Sequence, residues 1–286
     1  MHFYVTDYQA EFRVRAPFLW EPYPGSRVHY LLKAALERVD REVREQLLTR
    51  VVPSPSPHRF LRAGEQAPAG LIPILPPTQI SPGELKLGNH LQPGDTLRLQ
   101  VRRFGQTGRD VDQAIVDSLD QLDDALIADT VGRRGPRERV VEIDDQPIPT
   151  SRVSLHFITP AHIKVNGKVG VDLTFGALVS NLRRRLENLC ALYGELPVGS
   201  SERFSELLKT STDVHGTRSQ LHLKTWKRGT SEPTGGRTTH DMSGILGTCE
   251  FAGRITPFAS TLVAAEEMNV GKMTSMGLGR IAVTRS

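Results

Sequence analysis

The chain of 286 residues is long enough for one large domain or two of ordinary size, each with its own core. Hydrophobic residues make up 38% and charged residues 24%, which excludes extended disorder. The 36 lysines and arginines against 32 acids leave a net charge of +4, a surplus that permits an anionic partner without demanding one. Two cysteines, Cys190 and Cys249, are too few for a disulfide framework and fit a reducing cytosol. No apolar run approaches the roughly 20 residues of a membrane span. Residues 1–15 alternate like a strand instead of carrying a signal-peptide core, so the expectation is a soluble, cytoplasmic protein with no membrane partner.

In chain order, Phe3, Val5, Phe12 and Val14 predict a first strand. Pro22-Tyr23-Pro24-Gly25 turns the chain, Ser26 is placed as an N-cap, and Val28, Leu32, Ala35, Leu36, Val39, Val43 and Leu47 predict one amphipathic helix. Proline-rich stretches follow at 53–57 and 73–82. Leu97, Leu99 and Val101 predict a strand over 96–104, Ile115, Leu119, Leu122 and Leu126 a helix over 111–127, and residues 140–143 a short strand. Residues 146–151 carry two prolines and no period, which sets a domain boundary there. The plan then repeats: a strand at 153–158, a helix marked by Leu178, Leu182, Leu186 and Leu189, strands at 221–226 and 244–255, a helix at 257–268, and a last strand at 281–283. Two consecutive βαββαβ halves predict an α+β protein of two tandem ferredoxin-like domains, 1–145 and 150–286, the topology that RNA-recognition modules also use.

Before the last strand the chain reads Asn269-Val270-Gly271-Lys272-Met273-Thr274-Ser275-Met276-Gly277-Leu278-Gly279-Arg280. Glycines allow positive φ and close approach, successive N–H groups can form an anion nest, and Lys272, Arg280, Thr274 and Ser275 add charge and hydroxyls. The plain alternative is a glycine-rich turn before a strand. A Walker loop fails because Glu266 stands where its first glycine belongs, and Gly277, Gly279 and Ala282 lie too near the end for a dinucleotide-binding unit.

The residues that carry a resemblance are 157–168, beginning Phe157-Ile158-Thr159-Pro160, then Asp172-Leu173-Thr174-Phe175 and Leu182-Arg183-Arg184-Arg185-Leu186, then 247–255 with Phe251-Ala252-Gly253-Arg254-Ile255, then the glycine loop. In that order they resemble the CRISPR-associated endoribonucleases that cut precursor repeat RNA, in the repeat-associated mysterious protein superfamily. The first half is similar through Leu75-Pro76-Pro77, Gly94-Asp95-Thr96-Leu97 and Phe104-Gly105. The chain departs from the family in lacking the cysteine clusters that relatives often place in the first half, and in having Met276 where an aromatic is common.

The resemblance implies metal-independent cleavage without a cofactor. The ribose 2′-OH attacks the adjacent phosphodiester, giving a cyclic phosphate and a 5′-OH, with an acid, a base and cations supplied by the protein. It points to His29, early in the first helix, with Tyr30 and with Lys33 four residues on, as the catalytic group; a surface histidine is the bland alternative, and Arg15, Arg27 or Arg38 could take its place. Lys164, Lys168, Arg183, Arg184 and Arg185 join Gly271, Lys272, Thr274, Ser275, Gly277, Gly279 and Arg280 as expected RNA contacts, the arginines on the outer face of their helix. Trp226-Lys227-Arg228 could stack a base. His156 and His162 read as packing or RNA contacts, His58 or His90 as supplements to His29, and His215, His222 and His240 show no zinc spacing. The implied partners are repeat RNA and other CRISPR effector subunits. A catalytically inactive RNA-binding subunit, or a tandem ferredoxin-like binder of a small anion, are the competing readings.

Overall fold

The computed structural model describes residues 1–20, 24–74, 89–143, 148–165, 167–231 and 237–286, without the side chains of 18–20, 89–90, 124, 228–231 and 237–240. Pro22-Tyr23, Leu75-Pro76-Pro77 with the rest of 75–82 in the second proline-rich stretch, Asn166, and residues 146–147 of the expected domain boundary lie outside them. The chain divides into two compact units: 1–143 with 186–198 and 274–277, and 144–185 with 199–273 and 278–286.

Unit 1 runs β1 (His2–Val14), β2 (Phe18–Trp20), α1 (Gly25–Val39), α2 (Arg41–Leu48), β3 (Leu71–Ile74), β4 (Asn89–Leu91), β5 (Thr96–Phe104), α3 (Arg109–Asp120), α4 (Asp123–Leu126) and β6 (Ala128–Glu142). Its sheet is antiparallel in the order β6-β1-β5-β3, and β2 and β4 pair apart from it. Along β1, Tyr8, Ala10 and Phe12 face the helices with Leu97, Leu99 and Val101 of β5. Val28, Leu32, Leu36, Leu47, Ile115 and Leu119 close this core.

The helix expected as one piece breaks at Asp40, whose backbone is extended and whose side chain accepts from the Val43 N–H at 3.0 Å, so that Asp40 caps α2. Ser26 lies inside α1, and the cap position belongs to Pro24, which has no side-chain donor or acceptor to offer. The short strand expected at 140–143 is the end of the 15-residue β6. Its middle, Arg133-Arg134-Gly135-Pro136-Arg137-Glu138-Arg139, shows no apolar period because it belongs to an edge strand with an irregularity at Gly135-Pro136. Gly135 has φ +116°, and a Cβ there would come within 2.6 Å of the Asp7 carbonyl oxygen, so only glycine fits.

A buried polar network crosses this core. Arg103, with no exposed surface, donates from Nε to Tyr8 Oη (3.0 Å), from Nη2 to Thr6 Oγ1 (2.7 Å) and Asp112 Oδ1 (3.1 Å), and from Nη1 to the Gly105 carbonyl. Tyr8 donates to the same carboxylate oxygen at 2.5 Å. Burial, with Asp112 beside it, pushes the Tyr8 phenol well above its ordinary value, so it stays a donor.

Unit 2 runs β7 (Arg152–Ala161), β8 (Lys164–Val165), β9 (Lys168–Val169), α5 (Phe175–Tyr193, whose residues from 186 belong to unit 1), β10 (Gly194–Glu195, in unit 1 and paired with β1), α6 (Ser200–Lys209), β11 (Val214–Ser231), β12 (Arg237–Gly253), α7 (Ala259–Met268) and β13 (Ile281–Arg285). Its sheet is antiparallel in the order β11-β12-β7-β13. Counted within each unit, both sheets have the order 2-3-1-4, with helices between the first and second and between the third and fourth strands. This is the ferredoxin-like arrangement, repeated. Phe175 packs edge-on against Phe251 and Phe258 at 5.4 and 5.2 Å. Cys190 and Cys249 are buried free thiols, and desolvation raises both to about 12. Among the described residues, no helix is long and apolar enough to cross a membrane and no cluster of three His, Cys, Asp or Glu could hold a metal.

Candidate RNA interface and active site

In unit 1, Val28, Leu32, Ala35 and Leu36 pin α1 to the core, which leaves Tyr30 69% exposed and His29 and Lys33 half-buried on the flanks of the buried stripe. The turn Thr274–Met276 at the tip of the glycine loop lies against α1 and β3 in the same unit. The fold therefore brings Thr274 and Ser275 to the helix that carries His29, Tyr30 and Lys33. Arg15 pairs with Asp129 at 3.6 Å, Arg27 donates to the Ala125 carbonyl at 3.3 Å, and Arg38 is exposed. His58 is buried against Glu187 at 3.2 Å, away from any supplementary role on the surface. The side chains of His90 and His240 lie outside the described residues. A cavity of about 410 Å³ in unit 1, lined by Tyr4, Arg50, Thr107 and Tyr193 among others, includes none of these candidates.

In unit 2, cations gather where β7 ends. Lys164 and Lys168 are exposed on the β8–β9 hairpin that follows it, and Lys272, exposed, pairs by its backbone with His162. The His162 ring is held at Nδ1 by the Ser243 carbonyl oxygen at 2.9 Å. β12 pairs with β7 only between Ile245 and Ala252, whereas β11 and β12 pair on to Ser231 and Arg237. Residues 224–231 and 237–244 therefore form a two-stranded arm past the end of β7. It carries half-buried Lys224 and Trp226 and exposed Lys227; the Arg228 side chain lies outside the described residues. The strand expected at 221–226 is thus longer than its apolar residues indicate, and the two-residue period of Lys224 and Trp226 runs on to Arg228 in the sequence.

The three arginines of α5 do not share one outer face. Arg183 is buried: Nη2 donates to the Ser201 carbonyl (2.6 Å) and Ser205 Oγ (2.8 Å), and the guanidinium lies over Phe204 at 5.3 Å. Arg185 Nε donates to the Met268 carbonyl at the end of α7. Only Arg184 is exposed. A step of about 100° per residue puts 183 and 185 on either side of the leucine stripe, where α6 and α7 cover them. Arg183 is thereby withdrawn from the RNA contacts, and Arg185 is occupied in the fold.

The glycine loop is likewise tied inward. The N–H of Lys272 donates to His162 O (3.0 Å), of Gly277 to Thr274 O (2.9 Å), of Gly279 to Pro160 O (2.9 Å) and of Arg280 to Thr159 Oγ1 (2.9 Å), so these four are committed inside the fold and are not a phosphate nest. Thr274, Gly277 and Gly279 are buried. Gly271, Gly277 and Gly279 take φ of +86°, +72° and +75°, and a Cβ on Gly279 would overlap the Val270 carbonyl oxygen. What the loop can offer an anion is its side chains: exposed Lys272 and half-buried Ser275 and Arg280. Gly279→Ala is expected to lower stability by about 3 kcal/mol or more, left-handed strain plus a backbone overlap. Chemical denaturation checks this, and an unchanged midpoint would mean that the loop is not so constrained.

The CRISPR-associated endoribonuclease Cas6 family model matches residues 155–281. No curated protein matches the chain in sequence. Among solved structures, a partial Cas6-RT-Cas1–Cas2 complex superposes with a TM-score of 0.64 at 13% identity, over 99% of this chain and 46% of the other, so this chain spans about half of that one. Thermus thermophilus Cas6 gives 0.58 at 15% identity over 99% of both chains. A Cas6 product complex gives 0.56 at 17%, over 98% of this chain and 99% of the other. Residues 155–281 thus match the model of the CRISPR-associated endoribonuclease Cas6 family, and the tandem ferredoxin-like fold of the whole chain is similar to that of Cas6 structures.

Proposed function

We propose that the chain binds CRISPR repeat RNA and cuts it as an endoribonuclease without a metal, the 2′-OH upstream of the cut displacing the 5′-oxygen to leave a cyclic phosphate and a 5′-OH. The observation that carries this reading is the family match over 155–281 in a chain whose fold agrees along 99% of its length with a Cas6 structure. RNA brings its own nucleophile, so the protein's work is to hold the phosphate in line, move two protons and balance charge. In our reading His29 exchanges protons at the 2′-OH or the leaving oxygen, Tyr30 supplies an exposed hydroxyl beside it, and Lys33 stabilises the phosphorane charge. Lys164, Lys168, Lys272 and Arg184 hold the backbone. The Cas6-RT-Cas1–Cas2 likeness supports assembly with other CRISPR subunits.

The test is incubation of the purified chain, in EDTA, with labelled repeat RNA and with a copy carrying one 2′-deoxy substitution at the cut. A single cut in the first, none in the second and a cyclic phosphate on the product are expected. Tight binding with no cut would make the chain an inactive RNA-binding subunit. Neither binding nor cleavage would sink the reading.

A further inference from the structure

Side chains opposite one another across an antiparallel pair share a face of the sheet. In unit 1, Tyr8, Ala10 and Phe12 of β1 face the helices, so Asp7, Gln9 and Glu11 face away from them. Their partners are Arg102, Gln100 and Arg98 on β5, and on β6 Arg137 opposite Asp7, Arg134 opposite Gln9, and Arg139 opposite Val5. Five arginines thus share this stretch of the sheet with two carboxylates.

Both carboxylates are taken. Asp7 accepts from Arg102 Nε (2.7 Å) and Nη2 (3.0 Å) and from Arg139 Nη1 (2.8 Å), and Glu11 accepts from Arg98 Nε (2.8 Å). Burial works against the Asp7 charge, but the two guanidiniums outweigh it and hold its carboxyl below the usual range. Arg134 and Arg137 remain, exposed, with no hydrogen bond or ion pair among the described residues. Arg133, between Arg134 and Gly132, points to the other face and is paired with Asp120 at 2.6 Å.

We propose that Arg134 and Arg137 are a separate, sequence-independent contact for the RNA backbone, with phosphates lying along the helix-free side of β6. This rests on the RNA reading above. The occupant follows from the surroundings. The cross-strand row of Arg134 is the half-buried Gln9 and Gln100, and that of Arg137 is the largely buried Asp7–Arg102 ion pair, so neither row offers the apolar centre that a protein partner would need beside the two exposed arginines. A phosphate backbone needs only cations and donors, and a guanidinium meets it bidentately. The Gly135-Pro136 irregularity between the two arginines fixes their placement, because Gly135 cannot be replaced without meeting the Asp7 backbone.

The test measures affinity of the whole chain for repeat RNA and for an unrelated RNA of equal length, across a salt series. Arg134→Ala/Arg137→Ala is expected to flatten the slope of log K against log salt by about 1.4–1.8, the release of two phosphates' counterions, and to weaken both RNAs by the same factor, roughly tenfold at low salt. Arg134→Lys/Arg137→Lys should keep the slope, Arg133→Ala should change neither quantity, and cleavage at saturating RNA should not move. A double alanine variant with the wild-type slope and affinity overturns the proposal. Wild-type protein that binds neither RNA overturns the RNA reading beneath it, a result visible before any substitution is made.

Discussion

His29→Ala is expected to slow cleavage of saturating repeat RNA by about 10²–10⁴-fold, the range for removing a positioned acid or base, while leaving RNA affinity within a few fold. The split follows from where the residue sits. His29 is half-buried on the flank of α1, and the expected phosphate contacts, Lys164, Lys168, Arg184 and Lys272, lie on other elements. Losing one imidazole therefore removes proton transfer without emptying the binding surface. Single-turnover rates at saturating protein, set beside filter binding, separate the two quantities. Tyr30→Phe and Lys33→Ala should each cost less, because a hydroxyl or a point charge nearby assists a transfer that the imidazole makes. If His29→Ala cuts at the wild-type rate, catalysis lies elsewhere, and Arg38 becomes the first candidate, since Arg15 and Arg27 already have partners in the fold.

The second large effect concerns stability. Asp112→Ala is expected to cost about 3–5 kcal/mol, the penalty for stranding a buried charge, because Arg103 has no exposed surface and its other carboxylate neighbour, Glu138, is half exposed at 3.9 Å. Arg103→Met should cost less, about 1–2 kcal/mol. It removes the buried charge itself, and it leaves an Asp112 side chain that is 24% exposed and can be hydrated. The order of the two variants is the informative result, since a simple count of lost hydrogen bonds would reverse it: Arg103 makes four and Asp112 accepts two. Urea unfolding followed by a probe in unit 1 measures both. Equal costs would mean that water reaches Arg103.

The repeated βαββαβ plan was legible because its buried strands and helices carry clean periods: Leu97, Leu99 and Val101 alternate, and Leu178 and Leu182 stand one turn apart. β6 was not legible beyond its end. An edge strand with charged residues on both faces shows no hydrophobic alternation, and Gly135-Pro136 reads as a turn when it is an irregularity within a strand. The same blindness affected the site. Composition marks Arg183 and Arg184 as equal cations, yet one is a buried strut holding α6 and the other is exposed, a difference set by α6. In the glycine loop the residue types pointed to anion binding, but glycine is also what a chain needs to fold tightly upon itself. Which of the two it serves depends on partners, Pro160, His162 and Thr159, that stand over a hundred residues earlier.

The two thiols have a practical consequence. Cys190 and Cys249 are buried, and with ionisation pushed to about 12 almost no thiolate exists near neutral pH, so neither disulfide exchange nor alkylation has a nucleophile to work with in the folded chain. The native protein is thus already a quiet background for maleimide chemistry. A single cysteine placed on the exposed β8–β9 hairpin would take a fluorophore selectively, and RNA docking could be followed in real time without first rebuilding the core.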